Sequence, residues 1–115
     1  MSSEKRYLKA IYELTEEGDK GTNTSQLADH LEVSSASVTE AIQKLEDKDL
    51  VCRAPYKGFT LSPMGREEAQ ELAERQDVLE DFFSEIGVES ASEDASAISD
   101  SLSTEAIEKI KELDL

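Results

Sequence analysis

The chain has one cysteine, one histidine and no tryptophan among its 115 residues. The single thiol, Cys52, excludes an intramolecular disulfide, and it is expected to pack in a strand rather than to serve as a redox group or ligand. One Cys, one His (His30) and scattered serines cannot supply a nucleophile, a base and an orienting partner together, so an enzyme is not expected. Aromatics are limited to three Tyr and three Phe, with hydrophobic residues at 37%. A core that modest gains from burial against a second copy. No signal peptide and no apolar run of bilayer length occurs, which predicts a cytoplasmic protein with no membrane partner. Basic residues are scarce too: 12 Lys and Arg stand against 27 Asp and Glu, a formal charge of −15.

That acidity is unusual for a protein that meets nucleic acid, but it is unevenly placed. Residues 1–66 carry 9 basic and 11 acidic side chains, a net of −2, whereas residues 67–115 carry 3 and 16, a net of −13. The first half is nearly neutral and leaves room for a local basic patch. An acidic, lysine-poor surface also suits a cytoplasm of very high salt, where net charge keeps proteins soluble, so a halophilic source is one expectation. In such salt the counterion release that normally drives DNA affinity is strongly weakened.

What is present is a pair of short amphipathic patterns in NTSQLADHLEVSSASVTEAIQKLEDKDL, residues 23–50. Leu27, Ala28 and Leu31 share one helical face, and Val38, Ala41, Ile42 and Leu45 share another. The connection Glu32-Val33-Ser34 is so short that the two stripes must face each other, with Val33 placed to plug the corner. This predicts a helix-turn-helix, whose second helix offers its outer face to the major groove. The residues placed to reach DNA from it are Ser34, Ser35, Ala36, Ser37, Thr39, Glu40, Gln43 and Lys44. Small hydroxyl and amide side chains there can approach bases and phosphates closely. The competing reading is an ordinary helical hairpin with a solvated polar face.

Before this unit, Ser2 or Ser3 is expected to cap a helix with Tyr7, Leu8, Ile11 and Leu14 on one face, ended by Gly18. Asn23 or Thr24 caps the next. After it, Leu50–Arg53 reads as a strand, Ala54–Gly58 as a turn and Phe59–Leu61 as the returning strand, which together make a wing. Arg53, Tyr56 and Lys57 sit near its tip, suited to phosphates. Ser62 and Pro63 then open the longest helix, whose Leu72, Ala73, Leu79, Phe82, Phe83 and Ile86 form a wide apolar face before Gly87. Ser90-Ala91-Ser92-Glu93 reads as a capping box for a further helix with Ala95, Ile98 and Leu102, and Ser103 caps a last one with Ile107, Ile110 and Leu113. Three amphipathic helices with no sheet to cover predict a helical dimer, with Leu72, Leu79, Phe82, Phe83 and Ile86 at its interface. An intramolecular bundle is the alternative. The fold class expected is mainly α: a winged helix-turn-helix over residues 1–62, then a helical dimerisation domain over residues 63–115.

The strings YLKAIYEL, TSQLADHLEVSSASVTEAIQKLEDKDLV, YKGFTLSPMG and VLEDFFSEIGV, in this order and spacing, resemble the diphtheria toxin repressor and manganese transport regulator family of metal-dependent repressors. The likeness covers nearly the whole chain. The stretch YKGFTLSPMG is fairly specific, whereas the helix-turn-helix alone would match many families. The resemblance implies a homodimer that binds a palindromic operator in double-stranded DNA, and represses metal uptake when Fe(II) or Mn(II) sits between the two domains. The chain ends near the last dimerisation helix, which implies that the SH3-like domain of longer members is absent.

The family's metal ligands are where the sequence departs from the pattern. The first-helix ligand positions are Arg6 and Lys9, and the long-helix histidine position is Gln76, with Glu80 retained. In the third segment the Cys or Glu, Glu and His positions are Ser96, Ser99 and Asp100. A transition metal wants imidazole, thiolate or several converging carboxylates. Glu80 and Asp100 are the residual candidates, with Asp77 or Asp94 as helpers for a hard cation. No cofactor is expected with certainty, Mn or Fe being what the resemblance implies, and the metal response is expected to be lost or altered. The alternative in another class is a winged-helix protein-interaction module without sequence-specific DNA binding, because Glu40 on the recognition face repels phosphates.

Overall fold

The computed structural model describes residues 3–15 and 20–113. Helix α1 (Ser3–Leu14) turns Tyr7, Leu8, Ala10 and Ile11 inward, α2 (Thr24–Leu31) adds Leu27, Ala28 and Leu31, and α3 (Ser35–Asp47) adds Val38, Ala41, Ile42 and Leu45 to the same core. The stripes of the first half therefore meet as their spacing requires. Leu14 differs: it is exposed, because α1 ends there and Thr15 takes the buried position, its hydroxyl donating to the Ile11 carbonyl. Ser2 and Gly18, expected to cap and to end this helix, lie outside the described residues.

Local chemistry sets the helix ends. Asn23 Oδ1 accepts from the Gln26 N–H at 2.9 Å and Ser34 Oγ from the Ser37 N–H at 3.1 Å, so each helix of the pair has a side-chain N-cap. Between them Glu32 adopts a left-handed conformation (φ 56°), its N–H and that of Val33 both reach the Ala28 carbonyl, and Val33 packs against the core. Helix α3 stops in a Schellman motif. Asp49, also left-handed (φ 60°), donates to the Glu46 carbonyl, and buried Leu50 donates to Leu45.

Strands β1 (Val51–Ala54) and β2 (Gly58–Leu61) pair antiparallel with Val51 opposite Leu61 and Ala54 opposite Gly58. The first strand starts one residue later than the sequence suggests, because Leu50 is used to close α3. Cys52 lies in β1 as expected, but on the exposed face. Pro55, Tyr56 and Lys57 make the turn, closed by the Lys57 N–H donating to the Ala54 carbonyl at 3.1 Å. A bridge from Thr22 to Phe59 adds a third short run to the wing, with N–H to carbonyl distances of 3.0 and 2.9 Å in the two directions. Ser62 Oγ donates to the Asp49 carbonyl at 2.6 Å and accepts from the Gly65 N–H at 3.0 Å. One hydroxyl thus ties the turn that ends α3 to the start of helix α4 (Pro63–Glu85).

The chain divides into two compact units, the second beginning at Glu71. Within the second, α4, α5 (Ala91–Ile98) and α6 (Thr104–Lys111) gather Leu79, Ala95 and Ile107 into a small core, with Val78, Phe83, Ile98, Leu102 and Ile110 packed against it. Part of the apolar surface expected to meet a second copy is used inside the chain. Gly87 (φ +90°) ends α4 in another Schellman motif, donating to Ser84 while Val88 donates to Phe83. Ser103 caps α6 through the Ala106 N–H at 3.0 Å. The capping box at Ser90 does not form. Its hydroxyl binds the Asp94 carboxylate at 2.8 Å instead of a backbone N–H. Arg75 of α4 caps the far end of α5, donating from Nε to the Ser99 carbonyl at 2.7 Å and from Nη2 to Leu102.

Candidate nucleic-acid interface

The buried stripe of α3 fixes which residues stand furthest from the core. Directly opposite Val38, Ala41, Ile42 and Leu45, at 100° per residue, lie Ala36, Glu40, Gln43 and Asp47, and all four are exposed. Ser35, Ser37, Thr39 and Lys44 flank that crest and are exposed too, as is the cap Ser34. The hydroxyls are already oriented: Ser34 donates to Ser37 Oγ at 3.0 Å, and Thr39 donates to the Ser35 carbonyl at 3.0 Å. Each keeps a lone pair for an incoming donor. On the wing, Arg53, Tyr56 and Lys57 are exposed, and Tyr56 stands at the tip in a left-handed conformation (φ 66°). All eleven residues singled out from the sequence for DNA contact are therefore accessible on one unit.

Their electrostatics were not legible beforehand. Three cations of this surface are held by carboxylates: Lys44 by Glu40 at 3.6 Å, Arg53 by Glu46 at 2.8 Å, and Lys48 by Glu4. Gln43 Nε2 donates to Asp47 Oδ1 at 3.1 Å. These pairs are largely exposed and stabilise by about 0–1 kcal/mol each, so exchanging a carboxylate for a phosphate costs little. Glu46, Asp47 and Lys48 thus join the surface. The spacing of four residues hinted at Gln43 with Asp47 and at Glu40 with Lys44, whereas Glu46 with Arg53 and Glu4 with Lys48 join different elements.

In the second unit the residues expected at a dimer interface separate into two groups. Leu72 and Leu79 are buried within the chain, and Phe83 is half-buried on the core of that unit. Phe82 is half-buried beside Phe83, ring centroids 5.8 Å apart, and Ile86 is 55% exposed. Of the five, Ile86 and Phe82 keep the most surface outside the core of this unit.

The donor set for a transition metal does not fit. Among the described residues no three His, Cys, Asp or Glu side chains come together to hold a metal ion. Arg6 spends a guanidinium N–H on the Leu31 carbonyl at 2.9 Å, and Lys9 is buried. The Ser99 hydroxyl is buried with no hydrogen-bond partner, and an alcohol is a poor substitute for a carboxylate or imidazole. Glu80 and Asp100, the residual candidates, are both half-buried. His30, the single imidazole, stands at the surface 3.4 Å from a Glu13 carboxylate oxygen.

Comparison with known families decides the relationship. Residues 1–59 match the model of the iron dependent repressor N-terminal DNA binding domain, and residues 62–113 match the model of the iron dependent repressor metal binding and dimerisation domain. The chain belongs to the iron-dependent repressor family. Its members are transcriptional regulators, not enzymes. The HTH-type transcriptional regulator MntR of Geobacillus kaustophilus is 38% identical over 110 residues, 93% of this chain and 77% of that protein. MntR of Shouchella clausii is 37% identical over 110 residues, 93% and 76% of the two chains. The solved structure of the manganese regulator SloR superposes with a TM-score of 0.82 at 28% identity, covering 96% of this chain and 53% of that one. A manganese-dependent transcriptional repressor in complex with manganese gives 0.83 at 27% identity, covering 94% and 50%. This chain spans about half the length of those solved chains. The iron-dependent repressor fold, a winged helix-turn-helix followed by a helical domain, is the mainly α architecture expected from the sequence. Among the described residues no helix is long and apolar enough to cross a membrane.

Proposed function

We propose that this chain is a cytoplasmic transcriptional repressor that binds a palindromic DNA site as a homodimer and does so without a transition metal. The observation that carries the reading is the outer surface of the first unit: a crest of Ala36, Glu40 and Gln43 on a helix capped by Ser34, with Lys57 and Tyr56 exposed on the wing. The helix enters the major groove by its N-terminal half, and the wing rests on the adjacent backbone, where Lys57 meets a phosphate. Residues 1–62 bind DNA and residues 63–115 hold the second copy; matches of residues 1–59 to a DNA binding domain and of residues 62–113 to a dimerisation domain support this division of labour. Two recognition helices reach successive major grooves only if the dimer spaces them about one helical turn, roughly 34 Å, apart.

Metal independence follows from the donors. Cations and hydroxyls stand at positions where a regulator of this family needs ligands, so Mn(II) or Fe(II) has too few groups to bind. The test has two stages. Purified protein stripped by chelator is used to select bound duplexes from a randomised pool, and affinity for the selected duplex is then measured while Mn(II) or Fe(II) is returned anaerobically. Affinity should stay within about twofold. A rise of tenfold or more that is lost in Glu80→Gln would mean that the remaining carboxylates still make a sensing site. Recovery of no preferred duplex at any salt would favour the protein-interaction module instead.

A further inference from the structure

The crest of the recognition helix contains no cation. Of Ala36, Glu40, Gln43 and Asp47, two are acidic and one is an amide, and the nearest positive charge, Lys44, sits on the flank 3.6 Å from a Glu40 oxygen. We propose that Glu40 is a base-reading residue that selects cytosine in the major groove, with Lys44 keeping its carboxylate neutralised; this rests on the DNA-binding reading above.

An ionised carboxylate only accepts hydrogen bonds. In the major groove the only base donors are the amino groups of cytosine and adenine. Adenine sets its N7 acceptor beside its amino group, where it repels a carboxylate, and guanine and thymine offer acceptors alone. Cytosine presents an amino donor with no acceptor next to it on the same base, so a carboxylate prefers it over the other three. The position suits the task. From Ala36 to Gln43 the helix rises about 10.5 Å, close to three base-pair steps of about 3.4 Å, so Ala36, Glu40 and Gln43 can address different pairs within a run of four. The methyl group of Ala36 leaves space for the backbone to approach and matches a thymine methyl. Lys44 resolves the objection that Glu40 repels phosphates. An exposed pair at that separation is weak, so the ammonium can swing to a phosphate while remaining near enough to offset the carboxylate.

The experiment uses the full chain. A duplex is selected from a randomised pool with the wild type, and affinities of wild type, Glu40→Gln and Lys44→Ala are measured for that duplex and for every single-pair change within one half-site. The wild type should lose about five- to a hundredfold at one C·G pair, and Glu40→Gln should differ from it at that pair only, there preferring A·T, since an amide matches adenine N6 and N7. Lys44→Ala should weaken all duplexes alike and leave the order of preference intact. Circular dichroism checks that both variants fold. Two results overturn the assignment: Glu40→Gln ranking all single-pair variants as the wild type does, or losing discrimination at every position equally, as a merely structural role would produce. If the wild type itself selects no sequence, the DNA-binding reading fails, and this one with it.

Discussion

Replacing Gly58 by alanine should detach the wing from the segment that precedes α2. Gly58 lies at φ +82°, and a Cβ there would stand 2.0 Å from the Thr22 carbonyl oxygen, a separation that backbone atoms cannot tolerate. Thr22 must move, and its two backbone bonds with Phe59, at 3.0 and 2.9 Å, go with it. Holding alanine in the left-handed region costs about 1–2 kcal/mol. Losing two backbone hydrogen bonds costs about 0.5–1.5 kcal/mol each. The total, about 2–5 kcal/mol, is a large part of the roughly 5–15 kcal/mol that stabilises a typical protein. Gly21→Ala tests the contact without the backbone term. Its Cβ would meet the Lys57 carbonyl oxygen at 1.7 Å and no left-handed conformation is involved, so about 1–3 kcal/mol is expected from the same two bonds. Urea denaturation followed by tyrosine fluorescence reads both, because Tyr7, Tyr12 and Tyr56 all lie in the first unit and the chain has no tryptophan. A cost below about 0.5 kcal/mol for either change, the range of an ordinary surface substitution, would refute the stapling of the wing.

Ile86→Asp should convert a dimer to a monomer in light scattering with helicity retained, whereas Phe83→Asp should also lower stability because its ring packs on Leu79, Ala95 and Ile107. A monomeric wild type would sink the homodimer. Lys57→Ala should weaken binding to every duplex alike and lower the salt slope by about one, while Gln43→Ala should cost about 1–3 kcal/mol chiefly on the selected site. If neither moves affinity, the docking of helix and wing is wrong. Glu46→Gln releases Arg53 from its 2.8 Å partner and should raise affinity and steepen the salt dependence; an unchanged slope would show that Arg53 does not reach phosphate.

The parts of the fold that were legible in the sequence are those governed by neighbours in the chain. Val38, Ala41, Ile42 and Leu45 announce a buried stripe by spacing alone, and Asn23 and Ser103 occupy the expected N-cap positions, where their side-chain oxygens accept backbone N–H groups. Where local signals compete, the reading failed. Ser90 had both Glu93 and Asp94 within reach, and its hydroxyl chose Asp94 over the backbone. Glu32 takes a left-handed position that favours glycine, so nothing in its identity marked it, and Asp49, whose residue type tolerates that region, carried only a weak signal. Long-range partners were invisible in principle: Thr22 against Phe59, Arg75 on the carbonyls beyond α5, and Glu4 on Lys48 depend on tertiary packing. The same limit explains Leu79. Periodicity placed it on an apolar face, but whether that face meets α5 and α6 or a second copy is decided by the fold.

The carboxylates around the recognition helix bear on how an acidic chain can bind DNA at all. Most of the excess charge lies beyond residue 66, where a net of −13 accumulates, against −2 before it. At physiological salt the screening length is about 8 Å, and at 1 M about 3 Å, so only charges within that reach of an approaching phosphate act on it strongly. Close pairs are another matter. Glu46 and Glu4 hold Arg53 and Lys48, so phosphate contacts made by those two cations displace carboxylates rather than free counterions, while Lys44 stays near enough to Glu40 to offset its charge. A displaced carboxylate takes up a cation from solution, which offsets the counterions that the phosphate releases. The usual steep loss of affinity with salt is thereby reduced. With the non-specific attraction flattened in this way, discrimination between sequences falls to the groups that meet base edges, and on α3 those are the carboxylate of Glu40, the amide of Gln43 and the methyl of Ala36.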